Sequence, residues 1–170
     1  IGTVIVFQQI QHAKNRPIGY NRNGLINMGM EKEIREHYDA FRAELKSIGA
    51  IEEMTSSNSP LTGVWNTNGG FDWEGKDPNL AVDFPNSNVT PEWGKTVGWK
   101  IKQGRDFSRS FPSDTGALIL NESAVKLAGF KNPVGQMIHW QNKDRKVLGV
   151  VANVTVSSSI SLAINTPING

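Results

Sequence analysis

The sequence predicts an α+β fold built from two lobes. A strand–helix–strand unit is indicated in residues 17–60, and a mixed lobe of short strands with one short helix follows in residues 61–156. The composition shifts to Ser, Asn, Gly and Thr between Ser56 and Gly75, which places a lobe boundary there. A chain of 170 residues is long enough for one domain or for two small lobes that share a core.

The best-defined element is a helix in the first lobe. Its apolar residues recur at spacings of four, three, four and three, so they line one helical face. Glu31 in the first turn and Lys46 near the last match the helix dipole, and Gly49 suits the position that follows a helix. We expect residues 25–28 and 51–57 to form a parallel pair of strands beneath this face. The face comprises Ile34, Tyr38, Phe41, Leu45 and Ile48, of which Ile34, Phe41, Leu45 and Ile48 are expected to be buried.

The second lobe is predicted from capping and turn residues. Asn121 is a favourable N-cap for a short helix over residues 122–128, and Gly129 is expected to end that helix. Residues 137–141 and 145–151 are predicted to form a β-hairpin around a turn at residues 142–144. Further short strands or short helices are predicted at residues 80–84, 93–102 and 117–120 and at Val89.

The two ends of the chain have different patterns. Residues 1–10 are dense in apolar, largely β-branched side chains and precede a polar run, which is typical of a buried strand or of the outward end of a transmembrane helix. Periodicity does not separate these alternatives, and we expect a transmembrane or stalk segment over residues 1–16. Residues 157–170 are expected to form a loop or a truncated return segment. No apolar run reaches the ~20 residues that span a bilayer.

Composition excludes several classes of protein. The 18 Lys and Arg residues against 16 Asp and Glu residues give a net charge of +2, which argues against a nucleic-acid-binding surface. The absence of Cys excludes a disulfide framework and a thiolate zinc site.

No pattern in the sequence indicates catalysis, a cofactor or a metal. Residues 94–96 (Gly-Lys-Thr) look like the end of a phosphate-binding loop, but Val89 stands where that motif requires glycine. The histidines lack metal-binding spacing, and three nearby carboxylates lie in a stretch that is typical of an exposed turn. These residues are His12, His37 and His139, and Asp72, Glu74 and Asp77. We therefore expect no catalytic, cofactor-binding or metal-binding residue.

The five tryptophans leave one rival function open. Exposed indole rings can stack on sugars, which would suit an envelope carbohydrate- or peptidoglycan-binding module. Large aromatic residues are more often part of a core or of an interface between lobes. We favour the structural interpretation, with Trp65 and Trp73 as the candidate exceptions because the loop around them is polar.

One ordered series of short segments resembles a known family. Residues 104–108 (Gly-Arg-Asp-Phe-Ser), 121–124 (Asn-Glu-Ser-Ala), 132–136 (Asn-Pro-Val-Gly-Gln) and 148–151 (Leu-Gly-Val-Val) follow one another in an order similar to that of MacB/FtsX-type ABC transporter permeases. The part that resembles them is the extracytoplasmic, or periplasmic, core domain. The residue types suit a scaffold, and Arg105 is expected to pin a strand end through a carboxylate such as Asp106 or Glu122.

The resemblance implies a fold and a function. It implies a porter-like strand–helix–strand lobe beside a second mixed lobe, on the outer side of a bacterial inner membrane between flanking transmembrane helices. It also implies that the domain couples cytoplasmic ATP hydrolysis to export, efflux or an envelope partner and has no enzymatic activity itself. The partners it implies are a cytoplasmic ABC ATPase, a second permease in a dimer and a periplasmic accessory protein.

Overall fold

The computed structural model describes residues 23–60, 63–153 and 162–165, and within these residues the fold is α+β, as predicted. The helices are α1 (Lys32–Glu36), α2 (Tyr38–Ser47), α3 (Trp93–Val97) and α4 (Glu122–Ala128), with a short 3-10 helix at Pro112–Asp114. The strands are β1 (Asn66–Asn68), β2 (Asp72–Trp73), β3 (Phe84–Val89), β4 (Ile101–Gly104), β5 (Leu118–Asn121), β6 (Met137–Trp140), β7 (Lys143–Val151) and β8 (Leu162–Asn165).

The strands form one mixed sheet in the order β1-β3-β8-β5-β7-β6-β2, and β4 pairs with β7 outside this path. Strand β8 runs parallel to β3 and antiparallel to β5, so it joins the two halves of the sheet. Residues 157–170 are predicted to form a loop or a truncated return segment, and of these alternatives the loop is wrong for residues 162–165. The sequence signal for β8 is weak because the strand has four residues and no adjacent turn motif. Whether such a segment forms a strand depends on the partners that lie on both sides of it.

The core covers both faces of the sheet, because all four residues of β5 are buried. Leu118 and Leu120 belong to one apolar cluster, whereas Ile119 belongs to another. The first cluster contains the aromatic side chains of Phe71, Trp73, Phe84 and Trp140 and includes Ala124 of α4. The second contains Val89, Phe107, Ala117, Leu148 and Val151, with Trp93, Trp99 and Ile101 packed against it.

The capped helix and the hairpin predicted in the second lobe are confirmed, except for the position of the hairpin turn. Helix α4 covers residues 122–128, Asn121 Oδ1 accepts a hydrogen bond from Ala124 N at 2.8 Å, and Gly129 adopts the left-handed conformation that ends the helix. The hairpin is formed by β6 and β7. Its turn lies at Gln141 and Asn142, both with positive φ, so the loop is one residue earlier and shorter than predicted.

The strands predicted on either side of the first helix are wrong. Residues 25–28 have no regular secondary structure, and Ile26 is 90% exposed. Residues 51–57 form no strand and contribute a single antiparallel bridge, from Ser57 to Val89. The segment instead follows the end of β3 through isolated hydrogen bonds, such as the one that Thr90 N donates to Ser56 O.

The predicted helix is interrupted and its face is only partly buried. His37, with φ −116° and ψ 24°, separates α1 from α2. Ile34, Phe41 and Leu45 are half-buried, and Ile48 is 70% exposed. Tyr38 is the buried residue of this face. The predicted burial is therefore wrong for Ile48 and only partial for Ile34, Phe41 and Leu45.

Two predictions lie outside these tests. The transmembrane or stalk segment expected at residues 1–16 falls outside the described residues. The division into lobes at residues 17–60 and 61–156 stays a prediction. No helix in the described part of the chain is long and apolar enough to cross a membrane.

A charged junction as the candidate functional site

The most connected polar site is a junction of charges between α2 and the segments that carry α3 and the loop after β4. Its centre is Glu92, the residue before α3, whose side chain is only 8% exposed. Arg109 contacts this carboxylate through Nε, and Arg42 of α2 lies 3.7 Å from the same oxygen. Arg109 also pairs with Asp39 of α2 at 3.0 Å. One buried carboxylate thus binds two cations that belong to different elements.

A second carboxylate extends the junction. Glu53 accepts from Arg42 Nε at 2.7 Å, from Lys46 Nζ at 2.8 Å and from the backbone N of Met54 at 3.0 Å. Burial alone would raise the pKa of Glu53, but these hydrogen bonds outweigh it and hold the pKa below its usual value. Arg42 therefore links two buried carboxylates, Glu53 and Glu92.

Tyr38 fixes the position of α2 above the junction. Its hydroxyl donates to Met54 O at 3.1 Å, and the nearby hydroxyls of Thr55 and Thr90 lie 2.7 Å apart. Burial is the main reason that the pKa of Tyr38 rises to about 12, so the hydroxyl keeps its proton and remains a donor. The same contacts hold the segment after residue 53 against the end of β3.

Arg105 pins a strand end, as predicted, but through a different carboxylate. Its guanidinium donates to the Asp114 carboxylate through the two terminal nitrogens, at 2.6 and 2.7 Å, and Asp114 also accepts from Ser108 N at 3.0 Å. These hydrogen bonds lower the pKa of Asp114 although the carboxylate is buried. The sequence leaves the partner open, and neither carboxylate named as an example is the one: Asp106 offers Arg105 only its backbone carbonyl, and the Glu122 carboxylate accepts from Asn153 N.

Asp106 serves the packing of α3 instead. It accepts from Trp99 Nε1 at 3.0 Å and from Phe107 N at 2.8 Å, and its burial raises its pKa. Gly94 lies directly beneath this pair, where a Cβ would collide with the Asp106 carboxylate and the Trp99 ring nitrogen. Residues 94–96 thus lie within α3, and their glycine is required by packing rather than by a phosphate.

The structure separates the other polar residues considered from the sequence. His37 is exposed, and His139 pairs with Asp144 across the hairpin at 2.8 Å. Asp77 accepts a hydrogen bond from Asn79 N within an exposed turn. Among the residues that the structure describes, no three His, Asp or Glu side chains are grouped to hold a metal ion. His12 lies outside the described residues.

Two of the tryptophans considered for sugar binding occupy different environments. Trp73 is buried in the core, and its Nε1 donates to Ala128 O at 3.2 Å. Trp65 is 76% exposed. A platform that presents both indole rings to a sugar is therefore wrong, and Trp65 remains as a single exposed ring.

The sequence did not single out the residues of the junction. Glu53, Glu92 and Arg109 belong to no local motif, because Arg42 is 11 residues from Glu53 and Glu92 is 17 residues from Arg109. The sequence around these carboxylates has no clear hydrophobic pattern and so does not predict that they are buried. A carboxylate is buried only where the fold brings a cation next to it. Only Lys46 was noted, for its favourable position in the helix dipole.

The sequence matches no protein-family model and no curated protein. The fold, by contrast, matches solved structures. The periplasmic region of MacB from Actinobacillus actinomycetemcomitans aligns over 81% of this chain and 61% of that one, with a TM-score of 0.52 and 18% identity. The extracellular domain of the noncanonic ABC-type transporter YknZ from Gram-positive bacteria aligns over 80% and 62%, with a TM-score of 0.51 and 15% identity.

These matches establish the class of fold. The chain has the fold of MacB-type periplasmic domains, and the resemblance inferred from the sequence is confirmed at that level. The chain spans less than two thirds of the length of either matched structure.

Proposed function

We propose that the chain is the extracytoplasmic domain of an ABC transporter permease and that it couples ATP hydrolysis in the cytoplasm to export or to an envelope partner. The observation that carries this proposal is the likeness of the fold to the periplasmic region of MacB over most of the chain. The partners we propose are a cytoplasmic ABC ATPase, a second permease in a dimer and an accessory protein outside the membrane. The domain itself performs no catalysis in this proposal.

The organisation of the polar contacts supports a mechanical role. Carboxylates at the junction and at the end of β4 connect helices, loops and strand ends to one another. While such contacts are formed they transmit displacement between elements, because each restrains the distance between two backbone segments. We propose that residues 1–16 form a stalk that leads into the first lobe, which comprises residues 17–60. Residues 61–156 form the second lobe in this proposal.

The location is tested with a cysteine probe in the full-length protein. The 170 residues contain no Cys, so Ser113→Cys introduces one exposed thiol into this domain. We expect a membrane-impermeant maleimide to label it in cells whose outer barrier is permeabilised but whose cytoplasmic membrane is intact. The parent protein without Ser113→Cys is the control for labelling elsewhere. Labelling only after lysis of the cytoplasmic membrane, or a full-length protein that fractionates as soluble, would contradict the proposal.

Coupling is tested by softening the entry to the domain. A Gly-Ser linker inserted between Lys14 and Asn15 should dissipate any displacement of the stalk before it reaches the first lobe. We expect the full-length protein to remain in the membrane and its partner ATPase to keep hydrolysing ATP, while transport or signalling falls. A rigid helical insert of equal length is the matched control. Equal activity of both variants would show that no stiff connection is needed.

The exposed ring of Trp65 favours one alternative, an envelope glycan-binding module. Its test is calorimetric titration with peptidoglycan fragments, with Trp65→Ala compared with Ile26→Ala, which removes another large apolar side chain that is mostly exposed. We expect no saturable heat with the unmodified protein, because Trp73 is unavailable for a second stacking contact. Micromolar binding that only Trp65→Ala abolishes would support the glycan module instead.

A further inference from the structure

We propose that residues 31–48, here called the helical arm, open and close on the charged junction as a separate unit, and that Glu92 is the latch that controls the opening. The inference concerns the mechanics of this chain and does not depend on the permease assignment. It follows from three properties of the arm: its sparse apolar contacts, its short helices and the arrangement of charges at its base.

Apolar burial holds the arm only weakly. The two apolar clusters of the sheet include no residue from the described stretch 23–60. Within the arm only Tyr38 is buried, and Ile48 is largely exposed. Because hydrophobic stabilisation scales with the apolar area removed from water, undocking the arm costs much less than opening β5.

The helices of the arm depend on being docked. Helix α1 has five residues and α2 has ten, and neither begins with a side-chain cap. Isolated helices shorter than about 12–15 residues are marginal in water. An arm that leaves the junction therefore loses its helical hydrogen bonds, and amide hydrogen exchange in α2 reports the opening directly.

Charges, rather than apolar contacts, dominate the base of the arm. Arg42 of the arm and Arg109 of the loop after β4 approach the same Glu92 oxygen, and Arg109 reaches back to Asp39 of the arm. With Glu92 ionised, the carboxylate separates and attracts the two guanidinium groups. Without its charge, Arg42 keeps its pair with Glu53 and Arg109 keeps its pair with Asp39, but the two guanidinium groups lose the carboxylate that they share. Neutralisation of Glu92 thus weakens the attraction between the arm and the segments that carry α3 and the loop after β4.

The two layers of the latch differ in exposure. Asp39 and Arg109 are 69% and 44% exposed, so salt screens their attraction, whereas Glu92 is almost buried and is screened less. We therefore expect salt to loosen the latch and neutralisation of Glu92 to release it. Neither change should affect the apolar core around β5.

The experiment is native-state hydrogen exchange followed by mass spectrometry on the whole protein. We compare Glu92→Gln with Glu36→Gln, which removes a carboxylate from the exposed Lys32–Glu36 pair of the same arm. We expect peptides from α2 to exchange at least ~10-fold faster in Glu92→Gln, as loss of a partly buried ion pair allows, and at the parent rate in Glu36→Gln. Peptides from β5 and β7 should keep their parent rates in both variants.

Two further measurements, a salt series and a milder variant, test the proposal even if Glu92→Gln does not fold. In the unmodified protein, raising NaCl from about 0.05 to about 1 M should accelerate exchange in α2 and leave β5 unchanged. Asp39→Asn, at the exposed edge of the latch, should remove most of that salt dependence. The proposal is overturned if α2 exchanges only together with β5, if it lacks protection in the unmodified protein, or if Glu92→Gln and Glu36→Gln behave alike.

Discussion

Asp114 shows at the scale of one residue why a buried charge can be stabilising here. Its side chain is 1% exposed, yet both carboxylate oxygens have donors, because Arg105 binds with two nitrogens and Ser108 adds a backbone N–H. A bidentate pair of this kind satisfies geometry as well as charge. Arg105 in turn stacks on the ring of Phe111, which limits the freedom of the guanidinium.

The first prediction concerns the removal of this charge. Asp114→Asn should destabilise the fold by about 2 kcal/mol, less than the ~3–5 kcal/mol for a fully buried pair, because Arg105 is 42% exposed and partly compensated by water. Urea denaturation at pH 7 measures the loss, and Asp72→Asn, at an exposed carboxylate, is the control. A loss no larger than that of Asp72→Asn would contradict the structural role.

The same variant should change the pH dependence of stability. The pKa of Asp114 is lower in the folded chain than its ordinary value of 3.8, so its stabilisation is complete above that pH and is lost as the pH falls through the lowered folded value. Glu53 acts in the same direction, whereas the raised pKa of Asp106 acts in the opposite one. Asp114→Asn should therefore lose less stability than the parent in denaturation experiments as the pH falls below the ordinary Asp value of 3.8.

At the scale of elements, local and non-local signals diverge. Helix α4 has a capping side chain at one end and a left-handed glycine at the other, so its limits are written in a few adjacent residues. Helix α2 has no side-chain cap. The apolar pattern continues through His37, although the helix itself is interrupted there. The sequence therefore defined α4 to the residue but merged α1 and α2 into one helix.

The second prediction tests the cap of α4. Asn121→Ala should destabilise the fold by about 1 kcal/mol or slightly more, because Ala124 N loses its acceptor at a buried helix end. Thermal or urea denaturation measures the change. Lys126→Ala, at an exposed position of the same helix, should stay within about 0.5 kcal/mol of the parent. Equal effects of the two substitutions would mean that the cap contributes nothing beyond helix propensity.

Strand predictions failed where pairing is decided by distant partners. Residues 25–28 have an apolar composition suited to a strand but lie unpaired, with Ile26 exposed. Leu162–Asn165 has a similar composition and is a central strand. Strand propensity mainly reports how well a side chain fits a half-buried sheet, so it cannot choose between two such segments. The candidate junction was missed for the same reason, since its ion pairs connect residues far apart in sequence.

The whole molecule depends on β8 more than its length suggests. Without β8, no strand pairing among the described residues would connect β1 and β3 to β5, β7, β6 and β2. Residues 162–165 thus connect the two halves of the sheet. Ile164, aligned with Leu118 across the β5–β8 pair, is buried in the aromatic cluster of the core.

The third prediction follows from that position. Ile164→Ala should destabilise the whole fold by about 2–5 kcal/mol, since it removes a buried side chain that packs with residues from both halves of the sheet. Ile26→Ala makes the same chemical change at a residue that is 90% exposed and should cost less than about 0.5 kcal/mol. Urea denaturation followed by tryptophan fluorescence compares the two variants directly.

Hydrogen exchange distinguishes a general loss of stability from a loss confined to one edge. If β8 joins the two halves, Ile164→Ala should accelerate exchange in β3 and β5 together, because each pairs with β8 along its length. If β5 depends on β7 rather than on β8, only β3 and its neighbour β1 should lose protection. That second pattern would refute the proposed role of β8 as the link between the two halves of the sheet.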